Sequence, residues 1–386
     1  MSHITDLLKR NSLLIALIVV MLFFEFCIRA TGHGSMFSPQ NFTNIILQNS
    51  YVIVLAVGML FCIICMGNVD LSVGSIVCLV GALAGTLIVN WEVNVYLGIL
   101  LCLLAGIAIG AWHGFWIAYI RIPAFIVTLA GMMLFRGLAL LVLNGMTISP
   151  FPPEYLQYFT SYIPAKRADA MTLTTIVTLV IVVLYVAGAL WSRMSKAKKG
   201  YAVEEAGSFF FKLVLVAAAL IGSGLLLANN RGIPVVLVLL AIIILVYSFF
   251  ANQTTSGRRL YALGGNEKAA KLSGVNTDRL LFLAYVNMGF LSAVAALVCV
   301  ARFNSAAPTA GNGYELDAIG SCFIGGASAY GGVGTVGGAV IGAIFMGVLN
   351  NGMSILGIDA NWQRTVKGAV LLAAVVVDVL SKKRGR

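Results

Sequence analysis

The chain is predicted to be an all-α polytopic membrane protein with about twelve transmembrane helices. Three observations carry this. The sequence is 60% hydrophobic and 10% charged, whereas soluble domains carry about 25% charged residues. Its mean hydropathy is +0.98. Its apolar runs approach or exceed the roughly 20 residues that a helix needs to cross hydrocarbon, and they lack the alternation of a membrane barrel strand. Lipid offers the backbone no water, so helices are left as the spanning element.

The first run, 13–28, follows Lys9 and Arg10; its 16 residues exceed a usual signal-peptide core, so it is read as a retained first span. In order, the spans are placed at 13–30, 45–66, 71–90, 95–119, 124–145, 171–190, 213–229, 233–251, 281–301, 317–333, 335–356 and 365–380. The tenth and eleventh are glycine-rich and are candidates for re-entrant or broken segments. With the N-terminus inside, 17 of the 25 Lys and Arg residues fall inside and seven outside, while Arg136 lies within a span. That bias predicts cytoplasmic termini. Trp91, Trp191 and Trp362 fall at the expected interfaces.

Three hydrophilic segments separate these spans. The external stretch 146–170 contains "SPFPPEYLQYFTSYIP", stiff enough either to dock a partner or to form a structured lid. The basic inside stretch 191–212 reads as a topology determinant. The inside stretch 252–280 has a different character and is treated below.

Much chemistry is excluded. No GxxxxGK[ST], HExxH or GxSxG occurs, so the chain carries no P-loop ATPase of its own. The seven cysteines lie in or beside apolar runs and read as small buried hydrophobes, the Cys62–Cys65 spacing included. Of three histidines, His113 in "GAWHGFW" reads as a helix–helix hydrogen-bonding group. Neither a metal nor a cofactor is expected. The net charge of +11 is assigned to topology rather than to nucleic acid.

Ionisable residues in spans are functional candidates by default. They are Glu25, Arg136 and Asp378, with Asp70 and Asp317 at span edges. Arg136 in "GMMLFRGLAL" must face a cavity, a partner or the bundle interior. No relay of acids and histidines suggests a proton-driven pump, so an outside motor is implied. In "GNVDLSVGS", Asp70 either caps the third span through the amide of Ser72 or Val73, or shapes a gate with Asn68 and Ser72. A faint echo links "VGSIVCLVGALAG" and "VGGAVIGAIFMG".

The stretch "GRRLYALGGNEKAAKLSGV" has the grammar of a short surface helix. Asn266 can cap it, Ala269 and Ala270 favour it, and Gly274 can end it. Ala269, Ala270 and Leu272 make a small apolar patch flanked by Lys268 and Lys271.

With "VDLSVGS" at 69–75, "IPAFIVTLAGMMLFRGL" at 122–138, this loop, "YELDAIGSCFIGGAS" at 314–328, "GGVGTVGGAVIGA" at 331–343 and "WQRTVKGAVLLAAVVVD" at 362–378, the sequence resembles the permease subunits of bacterial monosaccharide ABC importers. These stretches run in order through nearly the whole chain. Within that family the sequence is most similar to the xylose and multiple-monosaccharide permeases. It departs from the family's usual "GGIDLSVG" at Asn68.

The resemblance implies an ABC importer permease fold, with residues 1–386 as one transmembrane domain and 252–280 as its cytoplasmic coupling loop. It implies a homodimer in the bacterial inner membrane, a cytosolic ATPase with two nucleotide-binding modules, a periplasmic sugar-binding protein and a monosaccharide substrate. The motor contact would comprise Gly264, Gly265, Asn266, Glu267, Ala269, Ala270, Leu272, Ser273 and Gly274. The path or gate would involve Asn68, Asp70, Ser72, Arg136 and Asp317. A secondary transporter, a channel and a membrane enzyme are the rival readings. The absence of a relay, the coupling-type loop and the lack of a catalytic constellation weigh against each in turn.

Overall fold

A computed structural model describes residues 12–201, 203 and 205–384. Lys9, Arg10 and Arg386, counted above for topology, lie outside them. The described residues form fifteen α-helices and almost no sheet. Ten of the helical stretches are long and apolar enough to cross a membrane. Those ten cover the first nine expected spans and the eleventh.

The first helix, α1 (Ser12–Ala30), leads to α2 (Pro39–Ile64), which Ser38 caps through the amide of Asn41. Helix α3 (Val73–Ala84) continues as a π-helical turn over Gly85–Asn90; α4 (Val95–Gly114) does likewise over Phe115–Tyr119. Helix α5 (Ala124–Leu143) follows a turn at Arg121, whose φ is 64°. The polar stretch after it holds α6 (Pro153–Thr160) and a two-residue strand β1 (Tyr162–Ile163). Then come α7 (Arg167–Lys198), α8 (Ala206–Ala228), β2 (Ile233–Pro234) and α9 (Val235–Gln253). β1 and β2 pair antiparallel, Tyr162 opposite Pro234.

Two short helices, α10 (Thr255–Gly265) and α11 (Glu267–Leu272), precede the long α12 (Thr277–Phe303). The tenth expected span is split. Helix α13 (Tyr314–Ile324) has 11 residues, and a glycine-rich loop follows it. Eleven residues rise only about 16 Å, roughly half the hydrocarbon. Helix α14 (Val336–Ile355) is full length, and α15 (Ala360–Arg384) is longer but more polar.

The centre of the bundle is α2, α3 and α12. Of their most apolar stretches 78%, 72% and 72% is buried, against 6% in α7 and 11% in α8. So α7 and α8 pack on each other at the periphery, with their apolar surface turned outward. Helix α12 lies mainly against α4, α2 and α3, and α13 lies against α14, α15 and α2.

The tightest seam is between α4 and α12. Gly106 and Gly110 meet the backbone of Tyr285, Val286 and Gly289, and Gly114 meets Phe282. Their four-residue spacing keeps all three on one face. Without a hydrophobic force between helices in lipid, such close approach supplies the attraction. A side chain at Gly110 would enter the backbone of α12, whereas one at Gly137 meets nothing within 4 Å. Gly110→Leu is therefore expected to destabilise the fold by about 1–3 kcal/mol, while Gly137→Leu leaves it unchanged. Thermal unfolding of the purified full-length variants in detergent measures both.

Candidate functional site

Two chain segments break into the bundle without being helical. The first links α2 to α3. The amide of Asp70 lies 3.4 Å from the Met59 sulfur, more than a turn before α2 ends, so the chain folds back along α2. The Asp70 carboxylate is buried. Its Oδ1 accepts from the Ser72 amide at 2.8 Å and from the Ser72 hydroxyl at 2.5 Å. Ser72, at the start of α3, makes no side-chain cap bond of its own. Asp70 thus braces the turn that begins the helix.

The second segment, 304–313, links α12 to α13. Arg136 reaches it from α5, donating to the carbonyls of Pro308 at 3.2 Å and Ala310 at 2.7 Å. The Cys78 thiol on α3 also points at the carbonyls of Ala307 and Pro308. Gly74 and Gly311 sit backbone to backbone, and the Glu315 carboxylate lies against Gly74. The N-terminal ends of α3 and of the half-helix α13 therefore meet in the interior. Their positive dipole ends are matched by Asp70, Glu315 and Asp317 in or beside the first turns.

Beside this junction is a cavity of about 250 Å³. Gln48, Asn49 and Tyr51 line it from α2, and Arg302 from α12. Asn312 faces it from the segment before α13, Tyr314 and Asp317 from the first turn of α13, Asn350 from α14, and Gln363 and Lys367 from α15. Asp317 is buried and pairs with the Lys367 ammonium at 3.0 Å, so these two charges cancel. Tyr51 stacks on Tyr314 with ring centres 4.4 Å apart. Among the described residues, Asn49 Oδ1, Asn350 Oδ1 and Arg302 Nε find no protein partner. Each is a buried polar atom, which in an apolar bundle is costly unless a hydrogen-bonding guest meets it. A second cavity, of about 300 Å³, lies on the other side of Arg302, beneath α6 and β1. Arg302 thus stands between two chambers.

At the opposite end of the bundle, the segments after α2 and α13 close on each other. The Gly332 amide donates to the Ile64 carbonyl at 2.9 Å, and Gly331 packs on Met66 and Gly67. Helix α10 is tied to this closure. The Tyr261 hydroxyl donates to the Gly334 carbonyl at 2.8 Å, and Gly264 is pressed against Ile64 and Gly332. Any side chain at Gly264 would enter those backbones. The Ala329 amide adds a bond of 3.2 Å to Asp378 on α15.

Helix α11 forms as the residues dictate. Asn266 Oδ1 accepts from the Ala269 amide at 3.0 Å, and Gly274 ends the segment at φ 81°. Ala270 turns inward, Ala269 is exposed, and Leu272 is 90% exposed. Arg121 at the α4–α5 turn clamps this helix, donating to Glu267 at 2.7 Å and to Asp278 at the start of α12. Partial burial alone would lower the Arg121 pKa. The bond to Glu267 and then the charges of Glu267 and Asp278 raise it above its ordinary value, so it stays cationic.

The sequence pattern of a family described as "Branched-chain amino acid transport system / permease component" matches residues 41–207 and 156–375. The chain is 39% identical to the xylose transport system permease protein XylH of Escherichia coli strain K12, over 96% of this chain and 91% of the relative. It is 38% identical to the Haemophilus influenzae protein of the same name, covering 96% of both. It is 34% identical to the ribose import permease protein RbsC of E. coli strain K12, over 96% and 94%. The chain belongs to this permease family. No solved structure matches it. As a permease with ten apolar helices among its described residues, it is a multi-pass inner-membrane transport subunit and not an enzyme.

Of the five residues expected on the path or gate, Asp317 lines the permease's polar cavity of about 250 Å³. Asp70 and Ser72 brace the α2–α3 turn, with Asn68 in the same turn, and Arg136 holds the segment before α13. Sequence reasoning missed Gln48, Asn49, Asn350 and Gln363, whose signal is no more than amide side chains in or beside apolar runs. His113 differs from its expected role. It is buried, neither ring nitrogen has a partner, and its ring packs edge-on to Phe135 on α5 at 5.5 Å.

Arg136→Ala removes both donors to Pro308 and Ala310, leaving carbonyls that cost about 1–3 kcal/mol each when unpaired. Reduced folded yield and loss of uptake are expected, with Arg136→Lys intermediate. Unaltered expression and uptake of Arg136→Ala would contradict this positioning role.

Proposed function

We propose that the chain forms the translocation path of an ATP-driven importer for monosaccharides of the xylose, glucose, galactose or arabinose type. The observation that carries this is the polar cavity beside the junction where the starts of α3 and α13 meet. Its walls are amides, tyrosines, the Arg302 guanidinium and a self-neutralised ion pair, a chemistry suited to uncharged hydroxyl groups. Sugar hydroxyls both donate and accept, so they can meet the free acceptors of Asn49 and Asn350 and the free donor of Arg302. A zwitterionic amino acid would need a free cation and a free anion; Arg302 offers the first, but the Asp317 carboxylate is engaged with Lys367. Single hydrogen bonds from dispersed amides bind weakly, which lets the cargo leave.

In this reading the α10–α11 end is cytoplasmic and both termini lie on that side. A separate ATPase with two nucleotide-binding modules docks on α11, where Leu272 offers an apolar side chain to a partner, with Gly265, Ala269, Ser273 and Gly274 around it. Asn266 and Glu267 hold the helix in place, and Gly264 joins it to the closure between the α2–α3 turn and the glycine-rich loop. Asn68, Asp70 and Ser72 belong to that inner gate. A periplasmic sugar-binding protein delivers substrate over α6, and two copies of the permease assemble with membrane lipid around them.

Proteoliposomes holding the permease with its ATPase test this reading. Uptake of labelled xylose, glucose, galactose or arabinose should require both ATP and the binding protein; uptake of leucine instead would refute the sugar assignment. Asn350→Leu should slow sugar uptake roughly tenfold, the effect of one hydrogen bond of about 1.4 kcal/mol. Combined Glu267→Ala and Gly274→Val should leave the permease in the membrane while ATP hydrolysis continues without uptake. Normal transport by that double variant would remove the docking role from α11.

A further inference from the structure

An apolar groove of about 560 Å³ opens between α9 and α12. It falls in the range of roughly 300–1,000 Å³ typical of organic-ligand sites. Phe61 of α2 lines it, with Val246 and Phe250 of α9, Leu283 and Phe290 of α12, and Leu260 of α10. Two of its polar wall groups satisfy each other, the Tyr247 hydroxyl donating to Asn287. The groove is therefore apolar along its length, and it differs at one end. There α10 contributes Ser256 and Leu260 and α12 contributes Leu280. Arg259 lies three residues from Ser256, and Arg279 lies four before Leu283, spacings that place both arginines on the flanks of the groove-lining faces. Both are exposed, and neither forms an ion pair among the described residues. The neighbouring carboxylate, Asp278, is held by Arg121.

An apolar trough with cations at one rim has the polarity of an anionic amphiphile. We propose that it seats one anionic phospholipid, its acyl chain in the groove and its headgroup phosphate at Arg259 and Arg279. The proposal requires only that the α10 end meets a membrane–water interface, and it is independent of the cargo. A second copy is a poorer occupant, because a two-fold contact repeats the same patch on both partners and would add cations to cations.

Native mass spectrometry of the full-length permease in detergent, with phosphatidylglycerol or phosphatidylcholine added, reads the selectivity. Wild type should retain phosphatidylglycerol preferentially. Arg259→Gln with Arg279→Gln should lower that affinity about thirtyfold, from about fivefold per arginine beside an anionic lipid, and leave phosphatidylcholine binding unchanged. Phe250→Trp, with both arginines present, keeps the test open if that variant fails to fold. Its fluorescence should be quenched more by chain-brominated phosphatidylglycerol than by chain-brominated phosphatidylcholine. Equal affinity in the double variant, equal quenching by the two lipids, or disulfide cross-linking of two copies through Val246→Cys would each overturn the proposal.

Discussion

The structure depends on how it satisfies backbone polar groups where helices are interrupted inside an apolar bundle. A helix in lipid meets its own needs, but a break frees amides and carbonyls that no water reaches. This chain breaks twice, before α3 and before α13, and each break is answered by named groups. The Asp70 carboxylate takes the Ser72 amide. The Arg136 guanidinium takes the carbonyls of Pro308 and Ala310. Gly74 and Gly311 let the two interrupted chains touch. Charged residues in an otherwise greasy sequence are thus the supports of irregular backbone. Irregular backbone is what allows a polar chamber to exist beside it.

The same logic explains how the two ends communicate. Helix α10 is bonded to the glycine-rich loop through Tyr261, and that loop is bonded to α2 through Gly332. Helix α11 is bonded through Arg121 to the turn between α4 and α5, and the same arginine holds the start of α12. Force applied to α11 would reach α12 and, at its far end, Arg302 between the two chambers. The exposed ion pairs of Arg121 are worth little individually as stability, because solvent screens them. Their geometry matters more than their energy, since one guanidinium joins three separate elements.

Much of this was legible in the sequence because it is local. Apolar runs gave the spans, and Asn266 and Gly274 gave the ends of α11, since caps are decided within a few residues. The half-helix at α13 was foreshadowed by its glycines. The cavity was not legible. Gln48 lies about 300 residues from Asn350 and Gln363 in the chain, and nothing local distinguishes an amide that faces a chamber from one that faces a neighbouring helix. Asn351 illustrates the difficulty, because it sits beside Asn350 but bonds Asn41 and Gln48 instead. Arg136 was marked as needing a role, yet its acceptors are carbonyls 172 and 174 residues away.

The two acidic residues singled out at span edges show why position relative to a break decides what a carboxylate does. Asp70 lies before its helix and spends an oxygen on the turn itself. Asp317 lies within the first turn of α13, where the helix supplies its own backbone bonds and the side chain is free to reach Lys367 on α15. One carboxylate therefore fixes a chain, while the other joins two helices across a chamber wall. A relative shift of α13 and α15 would part the pair and expose two charges to the cavity. Separating a buried pair is far more costly than stretching a solvated one, so the pair resists intermediate positions and favours a chamber that is either closed on itself or fully rearranged.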